Sequence, residues 1–208
     1  MTVLGRKSRY STLLRIGLCL CCSVVLAGTS LAQEGSRFAA TLGVGTGSGT
    51  IMCSACIHAE NMGGSTLSLQ LTSSPQPHVR VGATLDTWWH SRDTWERGVW
   101  DLSAVAFYYP GTIHRGFFIG GGPSYSMMWA MVNDSTGLQR HGWGVLTEMG
   151  YELGPQSRLS LTPYVQYSYA WVGNIYYPIH SGIPWARGWK HQVLSLGLGV
   201  TFHNRKRE

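Results

Sequence analysis

The stretch 194-LSLGLGVTF-202 decides how this chain is read. In an extended strand Leu194, Leu196, Leu198, Val200 and Phe202 fall on one face, and Ser195, Gly197, Gly199 and Thr201 on the other. Residues 158–172 repeat the arrangement: Leu159, Leu161, Pro163, Val165, Tyr167, Tyr169 and Trp171 oppose Arg158, Ser160, Thr162, Tyr164, Gln166, Ser168 and Ala170. Residues 65–72 do so again, with Leu67, Leu69 and Leu71 opposite Thr66, Ser68, Gln70 and Thr72. A period of two sustained over such lengths marks strands that separate an apolar from a polar environment.

Working outward, clusters of Gly, Pro, Asn and Asp separate further β-rich segments, and no amphipathic helix interrupts them. Strands are predicted at 36–45, 65–72, 79–90, 99–109, 117–131, 143–153, 158–172 and 190–202. The fold class expected is all-β, an eight-stranded antiparallel up-and-down transmembrane β-barrel. Alternation alone would suit a soluble barrel or a sandwich equally well. Composition separates the readings. A water-facing surface is rich in Lys, Glu, Asp and Arg, yet charged residues are only 12% of this chain and the polar faces carry mostly Ser, Thr, Gly and Gln. Small neutral polar groups suit the inside of an eight-stranded barrel, which is just wide enough for side chains to fill.

The joins between predicted strands run 46–64, 73–78, 91–98, 110–116, 132–142, 154–157 and 173–189, so long and short alternate, as in barrels with short periplasmic turns and long outer loops. Trp88, Trp89, Trp95, Trp100, Trp129, Trp143, Trp171, Trp185 and Trp189 all lie in or beside the long joins. Phe38, Tyr108, Tyr109, Phe117, Phe118, Tyr151 and Phe202 lie at the other end. Two aromatic belts at lipid–water interfaces are expected.

Ahead of the strands, Arg6, Lys7, Arg9 and Arg15 precede an apolar run from Ile16 to Ala27 and then Ser30-Leu31-Ala32. Residues 1–32 are expected to be a cleaved secretory signal peptide; the run is shorter than the roughly 20 residues of a transmembrane helix. A lipoprotein signal is the lesser alternative, because Cys19, Cys21 and Cys22 lie in the run. Removing the segment takes four of the 16 basic residues and none of the 10 acidic ones, leaving 12 against 10, a net +2. Arg205, Lys206 and Arg207 then form a short basic tail, and nucleic acid is not an expected partner. Residues 33–208 are expected to form a single domain.

The signal segment, the eight alternating strands and the closing segment Leu194–Phe202 together resemble the small OmpA/OmpX-type outer-membrane β-barrel superfamily, over the whole chain after residue 32. The resemblance implies location in the bacterial cell outer membrane, with outer-membrane lipid and lipopolysaccharide as partners. It also implies contact with the barrel-assembly machinery during insertion. In that family an aromatic residue usually ends the closing strand and the chain, whereas here His203–Glu208 follow Phe202.

Three groups of residues are candidates for chemistry. Cys53 and Cys56, with His58 nearby, lie in the first outer join. In an oxidising compartment two close cysteines most often pair, so a disulfide is expected there rather than a metal site, which would need further ligands. Arg80, Asp86, Asp101, Glu148, Glu152 and Arg158 fall on the polar faces and are expected to form a lumen charge network, since buried charges are costly unless paired. A narrow ion or proton path is the alternative. His180-Ser181, with Glu148, offers the residue types of a lipid A deacylase, without the spacing of that family's motif. Gly120-Gly121-Gly122 sits inside a strand, so it is not a nucleotide loop. No cofactor and no metal are expected. The leading expectation is a non-enzymatic surface protein whose outer loops meet an extracellular ligand or lipopolysaccharide. A purely structural role and a lipid-modifying enzyme are the competing ones.

Overall fold

The computed structural model describes residues 37–52, 60–92, 95–111, 116–132, 135–154, 158–176 and 184–204. Eight strands form a closed antiparallel barrel: β1 (Arg37–Met52), β2 (Glu60–Gln76), β3 (Val79–Arg92), β4 (Trp95–Tyr108), β5 (Gly116–Val132), β6 (Ser135–Glu152), β7 (Leu159–Tyr176) and β8 (Pro184–Asn204). Each strand pairs with the next, and β1 closes the sheet onto β8. Closure leaves no open edge, which a sheet surrounded by lipid requires. No helix among the described residues is long and apolar enough to cross a membrane, so any crossing falls to the strands.

The register brings like faces together. Leu42 stands opposite Leu69 and Val200, and Val200 opposite Leu161. The outer surface is consequently a band of exposed apolar side chains, including Val44, Leu102, Ile119, Val145, Met149, Leu194, Leu196 and Leu198. Along β8 the band spans Leu194 to Phe202, within the 9–11 residues a tilted strand needs to cross a bilayer. Water would not tolerate such a surface on a monomer. The chain is built as a transmembrane β-barrel of the outer-membrane type.

The strands run well past this band, from 14 residues in β3 to 21 in β8. The excess lies at the end of the barrel opposite Arg37 and Asn204. There the outward positions turn polar: Thr46, Ser48 and Thr50 on β1, Asn61 and Ser65 on β2, His141 on β6, Lys190 and Gln192 on β8. Thr46 bonds the Gly64 carbonyl at 3.0 Å, and Ser48 bonds Asn61. Inside the same stretch polarity inverts as well, because Met62, Trp88, Val99, Met128, Val172 and Val193 form one buried cluster with Ile51 and Trp189 packed against it. Within the lipid band the barrel is apolar outside and largely polar inside, apart from the buried cluster of Val105, Phe107, Tyr109, Phe118 and Leu146; beyond it polar positions of β1, β2, β6 and β8 face outward and an apolar cluster faces inward.

This corrects the expected joins. Most of 46–64, 91–98, 132–142 and 173–189 is strand, and β3–β4 and β5–β6 are separated only by residues 93–94 and 133–134, so long and short joins do not alternate. The reason is visible on β1, where Gly45, Gly47 and Gly49 are inward strand positions rather than a loose loop. A Cβ at Gly49 would lie 2.6 Å from the Trp88 ring. Gly49 leaves room for the indole of Trp88, whereas a Cβ at Gly45 or Gly47 would meet the β8 backbone and Thr66.

Candidate functional site

The interior is filled by alternate side chains of all eight strands, in three tiers. At the end where β1 begins and β8 finishes, Arg80 of β3 and Glu152 of β6 form an ion pair, Nη1 to Oε1 2.6 Å and Nη2 to Oε2 3.5 Å, with both side chains 1% exposed. The Tyr109 hydroxyl donates to Glu152 Oε1 at 3.2 Å, and the Arg80 guanidinium lies 5.0 Å from the Tyr109 ring centroid. Val105, Phe107, Phe118 and Leu146 pack with Tyr109. A buried ion pair persists only when geometry and added hydrogen bonds offset desolvation, and this one has both. His203 closes the tier, its Nε2 2.8 Å from Ser160 Oγ.

In the middle tier Glu148 has Gln70 as a hydrogen-bond partner and feels the charges of both Arg80 and Asp86. Thr84 donates to Asp86 Oδ2 at 2.9 Å, with Ser68 and Gln166 also bonding Asp86. Hydroxyls of Thr41, Thr201 and Thr162 run in a chain at 2.9 and 3.1 Å. The Tyr164 ring fills the remaining width because Gly43 and Gly197 face it, and a Cβ at Gly43 would stand 2.7 Å from its hydroxyl. The third tier is the apolar cluster of the projecting wall. Trp88 lies across it and donates from Nε1 to the Gly47 carbonyl at 3.3 Å.

Between the second and third tiers, Ser126 Oγ stands 2.5 Å and Asp101 Oδ1 3.8 Å from Nε2 of His191. The residue types are those of a nucleophile, a base and an acid. The arrangement is different: both partners address the same ring nitrogen, and Nδ1 has no partner. A relay needs the acid and the nucleophile on opposite nitrogens. Ser126 and His191 are fully buried, so no substrate reaches them here.

Of the residues expected in the lumen, Arg80, Asp86, Asp101, Glu148 and Glu152 are buried inside the barrel. Arg158 is a correction. It is exposed in the bend just before β7, its carbonyl accepting from the His203 amide at 2.8 Å, because the strand's inward alternation starts at Ser160 rather than two residues earlier.

Of the aromatic belt, Trp89, Trp100, Trp143, Trp171 and Phe202 are exposed on the outer face, and Trp129 is half-buried over Gly98. Trp88 and Trp189 are corrections, since both pack inward in the apolar cluster. Tyr109 and Phe118 likewise point inward, at 1% and 3% exposure. The cause is the strand period itself: in Trp88-Trp89, Tyr108-Tyr109 and Phe117-Phe118 neighbours must take opposite faces. Cys53, Cys56, His58, His180 and Ser181 lie outside the described residues, as do residues 1–36 and the side chains of Trp95 and Trp185. His191 and Ser126 were not anticipated, although His191 shares its parity with the inward Ser195.

No protein-family model and no curated protein matches the chain in sequence. Solved structures do match in shape. Neisserial surface protein A superposes with a TM-score of 0.50 at 16% identity, covering 80% of this chain and 99% of its own. The outer membrane protein OprG from Pseudomonas aeruginosa gives 0.48 at 14% identity, covering 82% and 97%. Ail of Yersinia pestis, solved with the heparin analogue sucrose octasulfate, gives 0.48 at 8% identity, covering 79% and 99%. At such identities the likeness is one of fold. The chain has the fold of the small eight-stranded outer-membrane β-barrels.

Proposed function

We propose that this chain is a non-enzymatic surface protein of the bacterial outer membrane, whose barrel is a plugged anchor and whose function lies in its projecting end. The observation that carries this reading is the filled lumen: ion pair, hydroxyl network and apolar cluster follow one another along the axis. A barrel filled in this way offers its partners a surface rather than a channel. The projecting end supplies that surface, with a polar wall on β1 and β2 and, in sequence, Arg92, Arg97, Arg140, Arg187 and Lys190 against Glu60, Asp93, Glu96 and Asp134. The one-charge basic excess, together with the position of this end beyond the lipid band, favours lipopolysaccharide in the same leaflet or an acidic polymer outside the cell as the partner.

The test is to shorten the β1–β2 and β7–β8 tips to tight turns while leaving the lipid band intact, and to compare cells expressing either form. Loss of binding to a sulfated polysaccharide or to lipopolysaccharide, with barrel insertion retained, supports the surface role. Unchanged binding leaves membrane integrity as the role. A changed acyl count of lipid A on expression would instead establish a lipid-modifying enzyme.

A further inference from the structure

Asp86 and Asp101 are direct register partners across β3 and β4, and both carboxylates face the lumen at 8% and 3% residue exposure. Like charges directly opposite on one face of a sheet repel, the more so where water does not screen them. The guanidinium of Arg80 is engaged by Glu152. His191 stands 3.8 Å from Asp101, and the third carboxylate in reach, Glu148, adds negative charge beside Asp86.

Three buried oxygens at this place have no hydrogen-bond partner: Asp86 Oδ1, Asp101 Oδ1 and Thr66 Oγ1. All three residues line a single chamber of about 20 Å3, whose wall is completed on its polar side by Ser68, Gln166, Ser168 and Ser195. Unpartnered buried polar atoms are rare in folded proteins. Ser103, Ser124 and Tyr164 hold such atoms elsewhere in the lumen, but these three belong to residues that line one space, sized for a single water-sized body.

We propose that this chamber binds one calcium ion, held by Asp86 and Asp101 with Thr66 and the neighbouring hydroxyl and amide oxygens. The donors are all oxygen, which suits a hard cation, and two carboxylates match a divalent charge. With room for one body, the ion must enter stripped of water. Magnesium keeps several waters in a strict octahedron, whereas calcium accepts an irregular protein cage. A proton held by Asp86 alone is the simpler neutraliser, but it would leave Asp101 Oδ1 and Thr66 Oγ1 without a partner. The ion would tie β2, β3 and β4 to β7 and β8 across the barrel, a staple at the base of the projecting wall.

The protein, purified from membranes and unfolded, is refolded into detergent micelles with either a chelator or calcium. Elemental analysis is expected to find one calcium per chain after gel filtration, and the calcium form is expected to unfold at a higher temperature than the chelated form, with magnesium giving no such rise. Terbium in place of calcium should show luminescence excited through tryptophan, because Trp88 lines the chamber. Asp86→Asn with Asp101→Asn should abolish all three signals while folding without calcium; if the double variant does not fold, either single variant serves. Refolding with no bound calcium and no thermal shift overturns the proposal. So does calcium retained by the variants, which would place the ion elsewhere on the protein.

Discussion

Arg80 and Glu152 are 72 residues apart in sequence yet meet inside the barrel at 2.6 Å, with both side chains withdrawn from solvent. Their contact joins β3 to β6 across the lumen and gives Tyr109 a partner at the turn end. A pair of this kind is costly to halve. Arg80→Ala is expected to lower folding stability by about 3–5 kcal/mol, because it strands the Glu152 carboxylate. Arg80→Met with Glu152→Leu should recover most of that loss. Urea titrations of tryptophan fluorescence in micelles would measure both, and a double variant as unstable as the single one would show that the pair is not coupled in this way.

The inversion of polarity along β1 and β8 predicts a positional effect of one substitution type. Leu196→Arg, in the lipid band, is expected to cost about 2–4 kcal/mol of insertion stability, as cations do near the bilayer midplane. Ser48→Arg, on the projecting wall, should be close to neutral. Reversible folding into lipid vesicles resolves the two, and equal costs would mean that the band has been misplaced.

Tyr164 and Gly197 form a close-packed pair in the middle tier. Gly197→Ala places a methyl group into the phenol ring, and overpacking of this sort typically costs about 1–3 kcal/mol. Tyr164→Ser in the same chain should relieve it. The double-mutant cycle is the measurement, and simple additivity would contradict direct contact.

Trp143 and Trp171 face lipid while Trp88 lies in the lumen. In chains carrying one tryptophan at a time, brominated lipids are expected to quench the first two strongly and Trp88 weakly. Strong quenching of Trp88 would return it to the outer belt.

The lipid band was legible from sequence because alternation there has one phase. Leu194 to Phe202 and Leu159 to Trp171 read correctly as outward faces, and their opposite faces as lumen. The projecting wall was not legible in the same way. Where the strands leave lipid, the apolar set changes parity, from Leu42 and Val44 outward to Ile51 inward on β1, and from Leu194 outward to Val193 inward on β8. A change of phase looks like the end of a strand, so Thr46–Met52 was expected to be loop. The pairing of Arg80 with Glu152 depends on register across the barrel, as does the meeting of Asp101, Ser126 and His191. No single strand's pattern contains it.

A folded barrel embedded in the outer membrane resists detergent until it is boiled. Membranes from expressing cells are fractionated, and the outer-membrane fraction is run in detergent gels with and without prior boiling. The chain is expected in that fraction, with the unboiled form migrating as a distinct compact species. Recovery in the soluble periplasmic fraction, or a mobility indifferent to heat, would contradict an outer-membrane barrel.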